Sequence, residues 1–321
     1  MRCVYLTLAC FVIVGSQILH AQEDDTTLPP VTVRPAPRVY QPYSPPYDGT
    51  IDWGSDVIQS DTDRVGPYGQ PVWTTQRPFA TSRVYVLPPG QAQFEQWVRP
   101  TWSRGEGKPE FRMLEELAIG LGGGFQLDLY QRWNIEPNEE DEQEANHEGV
   151  QVELRYALAD WDEIILNPTL YIEWIERGGS QEKPNKYEAK LLLGDEIGCN
   201  WFYASNFILE QEVEGDERET ELAWTNAIST TIIERRLMAG VEMNWSGTTV
   251  KGERSDMSNS FQIGPSLQFR PTNRTFLDVV ALFGTTSESP ETQLYMIFGY
   301  QFGNRAGPTP GMGRPASARG G

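Results

Sequence analysis

Histidine is the first test of catalysis, and the chain of 321 residues has only two, His20 and His147. A hydrolase needs a nucleophile, a base and an orienting group within hydrogen-bond reach of one another. His20 lies in an apolar leading stretch, so His147 is the one imidazole a mature chain would keep. Ser205 and Ser229 have no histidine that the pattern places beside them. Glu219 and Glu221 share one face, as carboxylates on a wetted wall do. These residues predict no enzyme, and a lipid hydrolase dependent on His147 is the remaining enzymatic alternative. The acidic run containing Glu139, Glu140, Asp141 and Glu142 is the one candidate metal site, because carboxylate oxygens suit Ca²⁺ or Mg²⁺. A cation there would bridge the run to lipopolysaccharide phosphates. The run lacks the spaced ligands and glycine of a calcium loop, which favours a solvated acidic loop and implies no cofactor.

Charge and cysteine usage narrow the classes further. The net charge of −19 excludes a basic nucleic-acid-binding surface. It also opposes direct contact with anionic lipid unless divalent cations intervene. Residues 1–21 read as a cleaved signal peptide: Arg2 supplies the positive start, Cys3 to Leu19 is largely apolar, and Ala21 is a small residue at the cleavage point. Its removal takes two of the three cysteines. Cys199 then stands alone and permits neither an internal disulfide nor a thiolate metal site.

What must position any functional side chain is a set of strands. In Phe125 to Ile135, the residues Phe125, Leu127, Leu129, Trp133 and Ile135 share one face, opposite Gln126, Asp128, Tyr130, Arg132 and Asn134. Alternation with period two makes a strand with an apolar and a polar side. It repeats in Val150 to Leu158 and in Leu294 to Phe302. About twelve such segments are expected, at 91–103, 110–120, 124–135, 149–159, 164–176, 185–194, 199–212, 219–230, 235–246, 259–270, 274–284 and 292–302. Their length suits tilted strands crossing a bilayer better than the shorter strands of a soluble sandwich. Short turns near 121–123, 160–163, 195–198, 231–234 and 271–273 alternate with longer polar connections near 104–109, 136–148, 177–184, 213–218, 247–258 and 285–291. Outer-membrane barrels show that asymmetry, with the short turns periplasmic. Trp133, Trp174 and Trp245 fall at outer strand ends, and Trp161 and Trp201 near turns, as an interfacial belt requires.

The expected fold is therefore all-β: a transmembrane antiparallel barrel at 91–302 with a disordered leader and tail. Twelve of the 23 prolines lie between Pro29 and Pro89, which favours a disordered periplasmic segment over 22–90, with a lumen plug as the alternative. Residues 303–321 form a Gly- and Pro-rich tail, expected to be disordered. The polar face gives the lumen-facing candidates Asp128, Tyr130, Arg132, Glu153, Arg155, Glu173, Lys186, Glu188, Lys190, Glu221, Arg236 and Glu242, with Gln126, Gln262, Gln268 and Asp278 beside them. Such residues either line a narrow aqueous path or pair across the lumen and close it; the scaling of interior volume with strand number favours the narrow pore.

Residues 87–102 (LPPGQAQFEQWVRPTW) resemble the opening strand of outer-membrane barrels of the phenol-degradation (MetA-pathway) type. Residues 153–161, 167–174, 218–225 and 263–290 extend the resemblance over about 87–303. It implies a barrel that transports solutes, hydrophobic or aromatic ones among them, and carries over no catalytic residue. Tyr300 and Phe302 match the aromatic ending read by the barrel-assembly machinery, although the tail follows them. The expected function is passive uptake of small solutes across the outer membrane, amid outer-membrane lipid and lipopolysaccharide. A closed anchoring barrel is the alternative.

Overall fold

The computed structural model describes residues 60–105, 108–137, 143–179, 183–198 and 200–303. A two-residue pair, β1 (Arg64–Val65) with β2 (Gln70–Pro71), and one 3-10 turn, Val72–Thr75, precede twelve long strands. These are β3 (Gln91–Trp102), β4 (Glu110–Gly122), β5 (Phe125–Pro137), β6 (Gln143–Ala157), β7 (Thr169–Glu176) and β8 (Lys186–Ile197). They continue as β9 (Trp201–Glu212), β10 (Glu219–Ile233), β11 (Leu237–Val250), β12 (Ser258–Phe269), β13 (Thr275–Gly284) and β14 (Thr292–Gly303). Each pairs antiparallel with its sequence neighbours, and β14 returns to β3 with Tyr300 opposite Phe94, so the sheet closes into a barrel without a free edge.

The period-two pattern decides which side chains face out. On β5, Asp128 is fully buried while Leu129 is 41% exposed. Val150, Val152, Leu154, Ile172, Phe207, Leu222, Leu267 and Phe298 are likewise exposed on the outer wall. A continuous band of bare aliphatic and aromatic side chains is a surface that lipid covers and water does not. Three glycines do specific work. Gly123 and Gly124 take left-handed φ of 61° and 81° in the tight β4–β5 turn. Gly299 leaves room for the Phe276 ring directly across from it, 1.9 Å from where a β-carbon would stand.

Connections at the two ends differ. The turn end, where β3 starts and β14 finishes, has 123–124, 198–200, 234–236 and 270–274; the loop end has 103–109, 138–142, 177–185, 213–218, 251–257 and 285–291. One turn-end connection departs from expectation. Residues 164–168 were expected to open a strand, but β7 begins at Thr169 and 158–168 is a long turn. Asn167-Pro168 breaks the strand. Asn167 instead takes the Asp162 amide at 2.7 Å and gives its own amide to the Gly194 carbonyl at 3.0 Å. Similarly β6 reaches out to Gln143, so His147 stands in a strand and not in a loop.

The larger correction concerns the leader. Residues 60–90 fold as a plug inside the turn-end half of the barrel, where composition favoured a disordered segment; 22–59 lie outside the described residues. Trp73 and Phe79 are fully buried there. The Trp73 ring lies 5.0 Å from Phe202 and 5.8 Å from Trp161, and Tyr85 lies 5.3 Å from Trp161. Trp161 is thus part of the plug's apolar seat and not of an interfacial belt. Trp73→Ala removes the centre of that cluster, and a cavity of this kind costs about 3–5 kcal/mol. Hydrogen exchange should show 60–90 losing protection while the barrel amides keep theirs.

Candidate functional site: the lumen and its plug

Proline-rich backbone can be buried only if something else satisfies its carbonyls and amides. Here the inward side chains of the barrel do so. Asn206 takes the Arg83 amide at 2.7 Å and donates to the Arg83 carbonyl at 2.9 Å, standing in for a neighbouring strand. Glu242 accepts the amides of Ala80 and Thr81 at 3.1 and 2.8 Å and the Thr81 hydroxyl at 2.6 Å. Gln268 donates to the carbonyls of Gln76 and Arg77, Gln301 to that of Thr75, and Gln126 accepts the Leu87 amide. At the turn end, Arg270 holds Asp61 through two bonds of 2.5 and 2.7 Å. Tyr85 donates its hydroxyl to the Ala159 carbonyl; burial, and then the charge of Asp160, push its phenol above the ordinary range, so it stays a neutral donor.

Two plug arginines carry the electrostatics. Arg77 pairs with Glu95 and lies 3.0 Å from Glu116, with its guanidinium 3.9 Å from the Trp97 ring. Arg83 reaches Glu116 at 2.7 Å and donates to the Tyr130 hydroxyl at 3.1 Å. Behind them the wall forms its own network: Tyr130 donates to Glu153, and Arg155 bonds both Glu153 and, at 2.8 Å, Asp128. Arg77 and all of these wall groups are buried, and the Arg83 side chain is 11% exposed. A cavity of about 30 Å³ remains between plug and wall, lined by Arg77, Arg83, Glu116, Gln126 and Arg155. That holds water and no organic solute.

The candidates named from the sequence therefore divide. Asp128, Tyr130, Glu153, Arg155 and Glu242 face inward under or against the plug, with Gln126, Gln268 and Asp278 at the same level. Arg132, Glu173, Lys186, Glu188, Lys190 and Glu221 lie nearer the loop end, with Arg132 on Glu148 at 3.1 Å, Lys186 on Glu210 at 2.9 Å and Lys190 on Glu188 at 2.7 Å. Glu173 is held by Gln151 and Tyr171, both at 2.6 Å, and Glu221 by Thr248 at 3.3 Å. Gln262 is buried in the wall. Arg236 is misplaced: β11 begins one residue later, and Arg236 sits exposed in the turn, capping the carbonyls of Arg270 and Pro271. Glu95 and Glu116 were not singled out, although parity within 91–103 and 110–120 puts both on the polar face. Arg77 and Arg83 had no such signal.

Catalytic candidates stand apart. His147 packs against Trp133 on β6, Ser205 points outward and accepts from the Trp224 indole at 3.0 Å, and Ser229 is buried on β10. The run Glu139, Glu140, Asp141 and Glu142 and the lone Cys199 lie outside the described residues, as do residues 1–21, expected as a signal peptide, and the tail beyond Gly303.

An outer-membrane channel from Pseudomonas putida F1 has a similar structure, with a TM-score of 0.51 and 9% identity over 68% of this chain and 97% of that one. The fold is shared with an outer-membrane channel. The NanC porin (TM-score 0.45, 12% identity, 65% of this chain and 99% of that one) and the KdgM porin (0.42, 14%, 66% and 99%) are more distant in shape. No protein-family profile matches the sequence, and no curated protein matches it.

Proposed function

We propose that this chain is an outer-membrane channel for small solutes, exported by its signal peptide and held closed by residues 60–90. One observation carries the reading: the plug is a separate segment seated on a polar, charged wall. Burying ion pairs gives little net stability, and a permanently filled lumen is as stable or more so with apolar packing. A wall of Glu95, Glu116, Asp128, Glu153 and Arg155 suits a passage that must accept water when the plug withdraws. The outer apolar band supports a place in lipid, with lipopolysaccharide on the loop side and the assembly machinery acting on the β14 end. The resemblance to phenol-degradation-type barrels adds hydrophobic or aromatic compounds as candidate cargo.

The filled lumen favours a second reading, a closed barrel that anchors an envelope element. Planar-bilayer recording separates the two. A refolded chain lacking residues 60–89 should show discrete conductance steps that are rare in the full chain. Silence from the shortened chain, with heat-modifiable gel mobility showing a folded barrel, would leave the anchor in possession.

A further inference from the structure

The loop-end half of the lumen, above the plug, is divided by charge around its circumference. Strands β3, β4 and β5 present three inward arginines, Arg99, Arg112 and Arg132. Arg99 is directly opposite Arg112 in the ladder, and Arg132 is opposite Leu114, two residues along the same face. On the other side, β8 to β10 present Glu188, Glu210, Glu212 and Glu221 with Lys186 and Lys190 among them. The cationic sector is only partly neutralised. Arg132 is paired to Glu148, and Arg112 to Glu110 at 3.2 Å through side chains about 39% and 38% exposed. Among the described residues no carboxylate pairs with Arg99, and its buried Nε has no hydrogen-bond partner.

An arginine left without an anion beside a second arginine is an unfavourable arrangement unless something negative joins them. The floor beside Arg99 is largely apolar, with the Tyr295 hydroxyl, which bonds Arg99 and donates to Gln293 at 2.8 Å, as its polar edge. The Arg99 guanidinium lies 5.7 Å from the Tyr295 ring, and Tyr295 belongs to one cluster with Trp97 and Leu282, against which Leu114 packs. We infer that this sector is a binding site for a small organic carboxylate, its two oxygens on the guanidinium forks of Arg99 and Arg112 and its short apolar body against Tyr295 and Leu114. Planar guanidinium donors match a carboxylate in two parallel hydrogen bonds, and the apolar floor selects an organic anion over a hydrated inorganic one. As a statement of what the channel carries, this rests on the proposed function. Binding itself needs no conductance, so a protein that binds but never conducts keeps the site and loses the channel.

The test is calorimetric titration of butyrate into the full mature chain, refolded in neutral detergent, with phosphate as the comparison anion. Saturable one-to-one butyrate binding is expected, tighter than that of phosphate. R112Q should weaken it about tenfold, the loss of one charge-assisted bond. R112K, which keeps the charge but not the fork, should weaken it less. R99Q combined with R112Q should abolish it, and Arg236→Gln, in the distant turn, should leave it unchanged. Arg112 is partly exposed, so its variants fold without burying an unpaired group, and heat-modifiable mobility checks this. The inference is overturned by absence of saturable binding, by phosphate binding as tightly as butyrate, or by R112Q and Arg236→Gln behaving alike.

Discussion

Replacing Arg77 by glutamine should free the plug while leaving the barrel intact. Arg77 is 6% exposed at its side chain and Glu95 is fully buried. Removing the arginine leaves Glu95 with Gln93 and the Trp97 indole as donors and Arg83 at 3.8 Å. Breaking one partner out of a buried ion pair costs about 3–5 kcal/mol. The cost falls on the docked state alone, because an undocked plug returns water to Glu95. The undocked population should therefore rise by about two to three and a half orders of magnitude. Protease cleavage within 60–90 reads this directly, and the full-length variant should conduct far more often than the wild type. A plug as resistant as before would mean that the arginine adds nothing to docking.

Glu242→Ala should act comparably from the opposite wall. Its carboxylate takes two backbone amides and one hydroxyl of the plug, at Ala80 and Thr81, and is itself fully buried. Bonds to a charged acceptor contribute about 1.5–3 kcal/mol each, and stranding buried donors costs a similar amount. Glu242→Gln keeps one acceptor oxygen and should lie between Ala and wild type. Arg236→Gln, exposed in the neighbouring turn, should stay within about 0.5 kcal/mol of wild type in denaturant unfolding. Equal effects of Glu242→Ala and Arg236→Gln on the protection of 60–90 would separate Glu242 from plug docking.

These two positions also show what the sequence could and could not tell. Glu242 was visible because strand alternation fixes which side chains point inward, and period two survives even where hydropathy is low. The same rule recovers the wall ladder from Asp128 to Glu221. It fails for β7, where Ile164 and Ile165 look like strand residues but precede Asn167-Pro168, and for Arg236, one residue short of β11. Arg77 was invisible for a different reason. A plug has no period of its own: its backbone bonds go to side chains of distant strands, such as Asn206 and Gln268, and composition registers only its prolines. Trp73, Phe79 and Tyr85 within that stretch were the local sign that it could bury an apolar cluster.

The most direct measurement compares one protein with itself. Ser82, at the plug tip, and Thr225 on β10 have hydroxyl oxygens 2.9 Å apart. Cysteines at both positions, with Cys199 changed to serine, place two thiols where a disulfide can close. Single-channel recording of this protein, oxidised and then reduced in the same bilayer, should show silence followed by intermittent conductance steps as the plug regains its freedom. Identical records before and after reduction, with the disulfide shown to form and to break, would contradict a channel gated by residues 60–90.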